Sequence, residues 1–283
     1  MAMSRIALIT GANSGLGLAT AQALARQGFT LIFLLRSREK GEKARKQILE
    51  KSPQAQIDLF FADLTDMDSI RQASQQIHAN YDRIDCLINN AGYAPAQIEF
   101  TREGYEKSFV ANHLGHFLLT LELIDLLKAS GQGRIINLSS AAHAMGKSRR
   151  FFLKHNAKMN IWSAYGDGKL ANLLFTKELA NRLEGKNVTA YAVHPGVVNT
   201  QFGRNFTDWW KYGFGILRPF MITTEEGAQT SIFLATADLP KSYNGGYFSK
   251  SKPARTLNRD VNDYNAQLLW KRSEEAIGER WQL

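Results

Sequence analysis

The sequence has 283 residues, 44% hydrophobic and 22% charged, so the chain can bury a substantial core. It shows no low-complexity tract, no internal repeat and no apolar run of the ~18 to 20 residues that a membrane span needs, which favours one large domain without a span. The net charge of +9 raises nucleic acid as a partner, but the basic residues are spread over 36–51, 147–158 and the last third without interleaved stacking aromatics. We interpret them as solvated faces that favour anionic ligands, and we expect no nucleic-acid partner.

The single cysteine, Cys86, lies in the apolar run Ile84–Ile88, which predicts a buried strand. One cysteine excludes an intrachain disulfide and fits a reducing compartment. The first predicted strand begins a few residues after Met1, so we expect no signal peptide. Together these features predict a cytoplasmic protein.

A nucleotide-binding turn is predicted near the N-terminus. The largely apolar run Arg5–Thr10 is typical of a buried strand, and a helical pattern from Leu18 to Arg26 ends at Gly28. A Gly-x-x-x-Gly-x-Gly turn separates them. Strand, glycine turn and helix in this order direct free backbone N–H groups at a pyrophosphate, although a glycine cluster can also be a plain tight turn. The cofactor-binding residues predicted here are Gly11, Asn13, Ser14, Gly15, Leu16 and Gly17.

The second predicted strand, Thr30–Leu35, indicates which nicotinamide cofactor binds. It ends in Arg36, with Arg38 close by. An NAD site is expected to carry an acidic side chain here for the ribose 2′-hydroxyl, whereas an arginine can pair with a 2′-phosphate. Arg36 therefore favours NADP(H) over NAD(H). The alternative is a solvated basic helix start, because the positive charge continues through Lys40 and Lys43.

Strands and helices alternate along the rest of the chain. Helices are predicted near 39–51, 67–80, 102–129 and 163–184, and strands at 56–61, 84–88, 134–138 and 188–194. This alternation predicts an α/β fold, a Rossmann-like doubly wound parallel sheet of about seven strands in a single domain, 1–283.

Ligands of such sheets bind beyond the carboxyl ends of the strands. The residues at these ends are Asp63 and Leu64, then Asn90, Ala91 and Gly92, then Ser139 and Ser140, and then the turn 194–200. The Asp63 carboxylate can accept from an adenine amino group, and the small Ala91-Gly92 pair lets a cofactor pass close to the backbone. Both are also compatible with ordinary turn chemistry.

Tyr165 and Lys169 lie four residues apart in a predicted helix and therefore share one face. An ammonium beside a phenol favours the ionised phenol, whose ordinary pKa of ~10 is too high for a good general base at neutral pH. The pair by itself is equally compatible with a plain amphipathic helix. It gains meaning when the same chain supplies a cofactor turn, a second proton donor and a pocket.

With these residues in place, the chain resembles the classical short-chain dehydrogenase/reductase family over nearly its whole length. The matching motifs, in the family's order, are Thr10–Gly17, Asn89–Gly92, Asn112, Ser140, the Tyr165/Lys169 pair and Pro195–Gly196. Within the family the sequence is most similar to the retinol dehydrogenase-like branch, through Asn112–Thr120, Tyr191–Val198, Glu226–Ser231 and Gly246–Ser249.

The resemblance implies a role for each catalytic residue. Tyr165 would pass a proton to or from the substrate oxygen while the nicotinamide exchanges a hydride with carbon; Lys169 would lower the Tyr165 pKa and hydrogen-bond the nicotinamide ribose. Ser140, chosen over Ser139, would donate to the substrate oxygen. Asn112 would hold a water that links the lysine to solvent, and the alternative is a helix residue that is satisfied locally.

The resemblance also implies further cofactor contacts and an assembly. Asn90 would lie at the adenosine ribose, and Val198 and Thr200, after Pro195 and Gly196, would flank the carboxamide side of the nicotinamide. Related enzymes often pair through the helices that correspond to 102–129 and 163–184, so a homodimer is compatible with the family. The residues themselves leave the oligomeric state open.

Two glycines depart from the family pattern around the catalytic pair. The family usually has Ser or Ala just before the lysine, where this chain has Gly168, and Gly166 lies two residues earlier. Each glycine costs a helix interior up to ~1 kcal/mol relative to alanine. Either the catalytic turn is softer than usual, or the backbone approaches a neighbour closely there.

Two segments are predicted to shape the substrate site. A substrate loop, 141–162, separates Ser140 from Tyr165, and a loop of that length between two catalytic groups is expected to control access. The segment 201–222 is rich in Trp and Phe. It forms either helix core or a mobile apolar lid over a large hydrophobic substrate, and we favour the lid.

The sequence thus predicts an NADP(H)-dependent oxidoreductase that interconverts a hydrophobic alcohol with its aldehyde or ketone, running in the reducing direction. The alternative, from a different class, is a non-catalytic NADP(H)-binding sensor or scaffold of the same fold, and the intact catalytic set argues against it. His113 and His116 share a helix face, but no third ligand with suitable spacing accompanies them, so we assign no metal.

Overall fold

The computed structural model describes residues 4–94, 96–154, 159–196, 198 and 222–283. In this part of the chain eight strands form one sheet in the order β3-β2-β1-β4-β5-β6-β7-β8, and every pairing is parallel except that of β7 with β8. The strands are β1 Ile6–Thr10, β2 Thr30–Leu35, β3 Ile57–Phe61, β4 Cys86–Asn89, β5 Gly133–Leu138, β6 Val188–His194, β7 Tyr247–Ser249 and β8 Lys252–Pro253. The predicted doubly wound α/β fold is confirmed, and the short antiparallel β8 extends its seven parallel strands.

Helices connect these strands and cover both faces of the sheet. They are α1 Gly15–Arg26, α2 Arg38–Leu49, α3 Met67–Asn80, α4 Lys107–Phe109, α5 Gly115–Glu122, α6 Ile124–Ala129, α7 Ile161–Arg182, α8 Thr224–Thr236 and α9 Asp263–Ile277. Among the described residues, no helix is long and apolar enough to cross a membrane. Thr200 and the predicted lid 201–222 lie outside the described residues, except for Ile222, which forms an isolated bridge with Val198.

The sheet separates two apolar cores. Ile9 of β1 belongs to a core with α1, α2 and α8, whereas its neighbour Leu8 belongs to a core with α3, α5, α7 and α9. Successive residues of a strand point to opposite faces, so a strand covered on both sides is apolar throughout, as in residues 6–9 of β1. From β1 the chain adds β2 and β3 toward one edge of the sheet, and from β4 it adds β5 to β8 toward the other edge. A crevice for a ligand is expected at the carboxyl ends of these two strands.

The predicted helix 102–129 is interrupted. It starts as α4, where the Glu106 side chain caps the first turn, and then passes through a π-helical turn, Val110–Leu114, into α5. A second break at Leu123 separates α5 from α6. π-turns inside helices occur frequently at functional sites, and this one contains Asn112.

Candidate active site

The glycine turn lies between β1 and α1 at the central crevice. Gly11 and Gly15 have left-handed φ values of 67° and 55°, which glycine adopts without a steric penalty. A Cβ added at Gly17 would lie 2.4 Å from Asn90 Nδ2 and 2.5 Å from the Gly11 carbonyl oxygen. Within the described residues the Ser14 side chain makes no capping hydrogen bond to α1. The helix N-terminus can therefore present N–H groups and its positive dipole end to a pyrophosphate, which fits a dinucleotide cofactor.

The turn after β4 is tied to the glycine turn. The Thr10 hydroxyl accepts from the backbone N–H groups of Asn90 and Ala91, each at 2.9 Å, and Asn90 Nδ2 donates to the Thr10 carbonyl at 2.8 Å. The Asn90 side chain thus holds the glycine turn in place. This role was not evident from the motif, and the predicted contact with the adenosine ribose stays a prediction.

The predicted adenosine end of the site lies after β2 and β3. Arg36 is exposed directly after β2. Asp63 Oδ1 accepts from the backbone N–H and the hydroxyl of Thr65, at 2.9 and 2.8 Å, so this carboxylate at least stabilises its own turn. A Cβ at Gly115 would lie 2.2 Å from the Leu64 carbonyl oxygen, and only glycine fits where α5 passes this turn.

The opposite wall of the crevice reaches the glycine turn at Gly227, near the start of α8. A Cβ on Gly227 would lie 2.7 Å from Leu16 Cδ2, 2.6 Å from Val198 Cγ2 and 3.2 Å from the Pro195 carbonyl oxygen. Gly196 has a left-handed φ of 89° at the turn after β6. The structure thus brings together predicted cofactor residues that follow the first and sixth strands.

Helix α7 carries the predicted catalytic pair, Tyr165 and Lys169, beside the end of β5. It begins with a capping box in which Asn160 and Ser163 bond to each other's backbone. Lys169 Nζ donates to the Leu138 carbonyl at 3.0 Å and lies 5.6 Å from the centre of the Tyr165 ring. Burial lowers the pKa of Lys169 to about 8.

Burial raises the pKa of Tyr165 to about 12, and a side-chain hydrogen bond with Ser140 opposes part of that rise. This direction is opposite to the expectation that Lys169 lowers the phenol pKa. Sequence spacing reports the neighbouring charge but not the loss of solvent around the phenol, which is the larger effect here. The phenol is therefore protonated at neutral pH, as a proton donor to a carbonyl oxygen must be.

The two serines after β5 point in different directions. Ser139 is buried, and its hydroxyl donates to the Lys169 carbonyl at 2.8 Å, so it fastens α7 to the sheet. The Ser140 hydroxyl bonds to Tyr165 and accepts from the Ala142 backbone N–H at 3.2 Å. This geometry supports the choice of Ser140 as the donor to the substrate oxygen.

The Asn112 side chain is satisfied locally. Its Oδ1 accepts from the Tyr93 N–H at 3.1 Å, and its Nδ2 donates to the carbonyls of Tyr93 and Ser108 at 2.7 and 2.8 Å. A water held by Asn112 for a proton relay would therefore use the backbone carbonyl. That carbonyl oxygen lies 3.1 Å from His116 Nδ1.

The two unusual glycines of α7 are contact points. A Cβ at Gly166 would lie 2.9 Å from the Ala142 carbonyl oxygen and 3.1 Å from the Gly146 nitrogen, and one at Gly168 would lie 3.2 Å from Asn112 Cβ. The backbone of α7 thus approaches the substrate loop on one side and the π-turn on the other. Of the two sequence-based alternatives, the structure shows the close approach.

Charged side chains anchor the described part of the substrate loop. Asp167 accepts from Arg150 Nε at 2.8 Å and Nη2 at 2.6 Å, and from the Lys147 N–H at 2.8 Å. Asp260, before α9, accepts from the Ser148 N–H and hydroxyl at 2.7 and 2.9 Å. Neither aspartate was among the site residues predicted from the sequence. Of the two, only Asp167 could have been found from the sequence, since it lies between Tyr165 and Lys169.

Neither helix histidine takes part in a metal cluster. In the part of the chain that the structure describes, no group of three His, Cys, Asp or Glu residues could hold a metal ion. His113 Nε2 bonds to Ser273 Oγ of α9 at 2.9 Å, and His116 Nε2 lies 2.9 Å from Thr10 Oγ1.

Sequence comparisons agree with this geometry. Residues 5–211 match the model of the short chain dehydrogenase family. Retinol dehydrogenase 12 of Mus musculus is 41% identical over 281 residues, which cover 98% of this chain and 88% of that protein. Retinol dehydrogenase 14 of Homo sapiens is 38% identical over 296 residues, covering 96% of this chain and 85% of that protein.

Solved structures show the same fold. A protein described as uncharacterized from Mycobacterium paratuberculosis superposes with a TM-score of 0.79 at 32% identity, over 99% of this chain and 95% of that one. A short chain dehydrogenase of Shigella flexneri 2a, complexed with NADP, gives a TM-score of 0.68 at 25% identity, over 88% of this chain and 97% of that one. The chain therefore belongs to the short-chain dehydrogenase family of oxidoreductases, in its retinol dehydrogenase-like branch.

Proposed function

We propose that this protein is an NADP(H)-dependent oxidoreductase that interconverts a hydrophobic alcohol and its aldehyde or ketone, with Tyr165 as the general acid and base. One observation carries the proposal: the Tyr165 phenol bonds to Ser140 and lies beside Lys169, on the same sheet edge as an open helix N-terminus. The names of the retinol dehydrogenase relatives support an apolar alcohol or carbonyl substrate.

The described residues would hold the cofactor along the crevice. The turn 11–17 and the N-terminus of α1 would bind the pyrophosphate, and Arg36 would pair with the 2′-phosphate. Asp63 and Leu64 would flank the adenine. The turn at 90–92 and the residues Pro195, Gly196 and Val198 would flank the rest of the cofactor. Structural relatives complexed with NADP and NADPH support this preference. When bound, the nicotinamide would supply or accept the hydride.

In the reducing direction, Tyr165 gives its phenolic proton to the carbonyl oxygen as negative charge develops there, and Ser140 donates a hydrogen bond to the same oxygen. The ammonium of Lys169 stabilises the phenolate left behind. Because the pKa of Lys169 is about 8, this stabilisation is present below that pH and is lost above it. We therefore expect the rate of reduction to fall as the pH rises past about 8.

We also propose a cytoplasmic location and a homodimeric assembly. The only cysteine, Cys86, is buried and free, which supports a reducing, cytoplasmic location. The homodimer would form through the helices around α5 and α7, because related enzymes often pair through the corresponding helices.

Tyr165→Phe tests the function, because it removes the proton while keeping the ring. We expect NADPH to bind with parental affinity, measured by its fluorescence, while NADPH oxidation with a panel of apolar aldehydes and ketones falls by at least about 100-fold. Tyr264→Phe is the control, since Tyr264 is 73% exposed on α9, and it should keep the parental rate. Parental turnover in Tyr165→Phe would overturn the mechanism. A parental protein that binds NADPH but reduces none of the panel would instead favour a sensor or scaffold.

A further inference from the structure

His116 links the two halves of the site. It lies on α5 with 1% of its surface exposed. Its Nε2 is 2.9 Å from Thr10 Oγ1, and its Nδ1 is 3.1 Å from the Asn112 carbonyl oxygen. One imidazole therefore contacts both the hydroxyl that holds the cofactor turn and the carbonyl of the π-turn beside α7.

The hydrogen bonds around Thr10 determine the tautomer of this imidazole. Thr10 Oγ1 accepts from the N–H groups of Asn90 and Ala91, which occupies both of its lone pairs. Its own hydrogen then points to His116 Nε2 at 2.9 Å rather than to the Ile88 carbonyl at 3.4 Å. Nε2 is thus an acceptor, and Nδ1 carries the proton.

The ring is neutral over the working pH range. Burial lowers the pKa of His116 to about 4, and the positive charge of Lys169 adds to that lowering. The other titratable neighbour, His113, is also neutral, because burial lowers its pKa to about 3. A neutral imidazole with a fixed tautomer donates on one side and accepts on the other. It therefore accepts a hydrogen bond from the Thr10 hydroxyl and donates one to the Asn112 carbonyl.

Asn112 is confined on its other sides. Its side chain bonds to the backbone of Tyr93 and Ser108, and its Cβ would be 3.2 Å from a Cβ at Gly168. The group that remains to be oriented is the backbone carbonyl, which receives the Nδ1 proton of His116.

We propose that His116 is a positioning residue that fixes the Thr10 hydroxyl and the Asn112 carbonyl relative to each other. This one side chain thereby aligns the cofactor turn with the proton relay to Lys169. The relay part of this inference rests on the proposed function. The cofactor part requires only that the nucleotide binds.

Two substitutions separate the two contacts. His116→Asn keeps a donor near the position of Nδ1 but loses the acceptor for Thr10, whereas His116→Gln keeps an acceptor near the position of Nε2 but loses the donor to Asn112. Since one hydrogen bond corresponds to about a 3- to 10-fold effect, we expect His116→Asn to weaken NADPH affinity by that factor with a parental kcat. His116→Gln should lower kcat by a similar factor and move the alkaline limb of its pH profile, with parental NADPH affinity.

His113→Asn is the matched control. His113 is buried in the adjoining π-turn, but it bonds to Ser273 of α9 and contacts neither Thr10 nor the Asn112 carbonyl. We expect a lower melting temperature with unchanged NADPH affinity and an unchanged pH profile.

Thr10→Val provides a check that does not depend on His116 variants alone. It should weaken NADPH affinity, and its effect should not add to that of His116→Asn in the double variant, since both remove the same contact. The inference is overturned if both His116 variants lose affinity and kcat together in proportion to their melting temperatures, or if neither quantity changes. If the parental protein binds NADPH but reduces no carbonyl compound, the proposed function fails, while the affinity measurements still test the contact with Thr10.

Discussion

Gly17 in the cofactor half and Asp167 in the catalytic half are held by different kinds of contact. In the cofactor half, backbone atoms pack so closely that Gly17 leaves no room for a methyl group. In the catalytic half, the side chains of Asp167 and Asp260 hold the substrate loop, through an ion pair with Arg150 and hydrogen bonds to Ser148. A backbone contact admits no substitution, whereas a side-chain contact loses only part of its energy when it is changed. We therefore expect a single substitution to reduce NADPH affinity strongly in the cofactor half and to reduce kcat only partly in the catalytic half.

The largest effect is expected for Gly17→Ala. The new methyl group would lie 2.5 Å from the Gly11 carbonyl oxygen, so the glycine turn must move. A misplacement of about 1 Å at a reacting group costs about 100-fold in rate, and we expect a loss of NADPH affinity of about the same size in a fluorescence titration. Gly41→Ala is the control, because its Cβ would meet Leu35 Cδ1, a rotatable methyl, at 2.7 Å. If Gly17→Ala bound NADPH with parental affinity, the expected difference between the two halves would be wrong.

An intermediate effect is expected for Asp167→Asn. Only 4% of the Asp167 side chain and 19% of the Arg150 side chain are exposed. Breaking the pair leaves a largely buried guanidinium that still has the Met145 carbonyl, so the free energy of unfolding should fall by about 2 to 3 kcal/mol in urea titrations. We expect kcat to fall about 10-fold, since the loop after Ser140 loses its anchor, with unchanged NADPH affinity.

Glu178→Gln is the control for that change. Glu178 pairs with Arg182 farther along the same helix, away from the substrate loop. This variant should lose stability while keeping kcat. If Asp167→Asn lost NADPH affinity and kcat equally, the two halves would not be separate units.

The smallest effect is expected for Arg36→Ala. Arg36 is exposed, so solvent and salt screen its pairing with a 2′-phosphate. We therefore expect the ratio of NADPH affinity to NADH affinity to fall by about 3- to 5-fold at low ionic strength. The narrowing should shrink as salt is added. Arg38→Ala should leave the ratio unchanged, because Arg38 stacks on the Phe61 ring at 4.4 Å. Equal affinities for the two cofactors in the parental protein would contradict the assignment to Arg36.

Local patterns in the sequence determined the fold and the spacing of the predicted catalytic pair. Apolar runs marked the strands because a sheet covered on both faces requires them. Helix α3 was predicted at its observed bounds, 67–80, and in the structure Asp66 caps its start. The helical spacing of Tyr165 and Lys169 was likewise a property of neighbouring residues. Each of these signals depends on contacts within a few positions of the chain.

The tertiary structure alone decided how these residues behave. The pKa of Tyr165 rises because distant segments exclude water from it, and no spacing rule reports that. The glycines of α7 are explained only by the loop and the π-turn that pack against them. His116 offered only a metal-like spacing with His113, yet its partner Thr10 is 106 positions away in the sequence. Desolvation and long-range hydrogen bonds depend on which segments meet, and that is set when the whole chain packs.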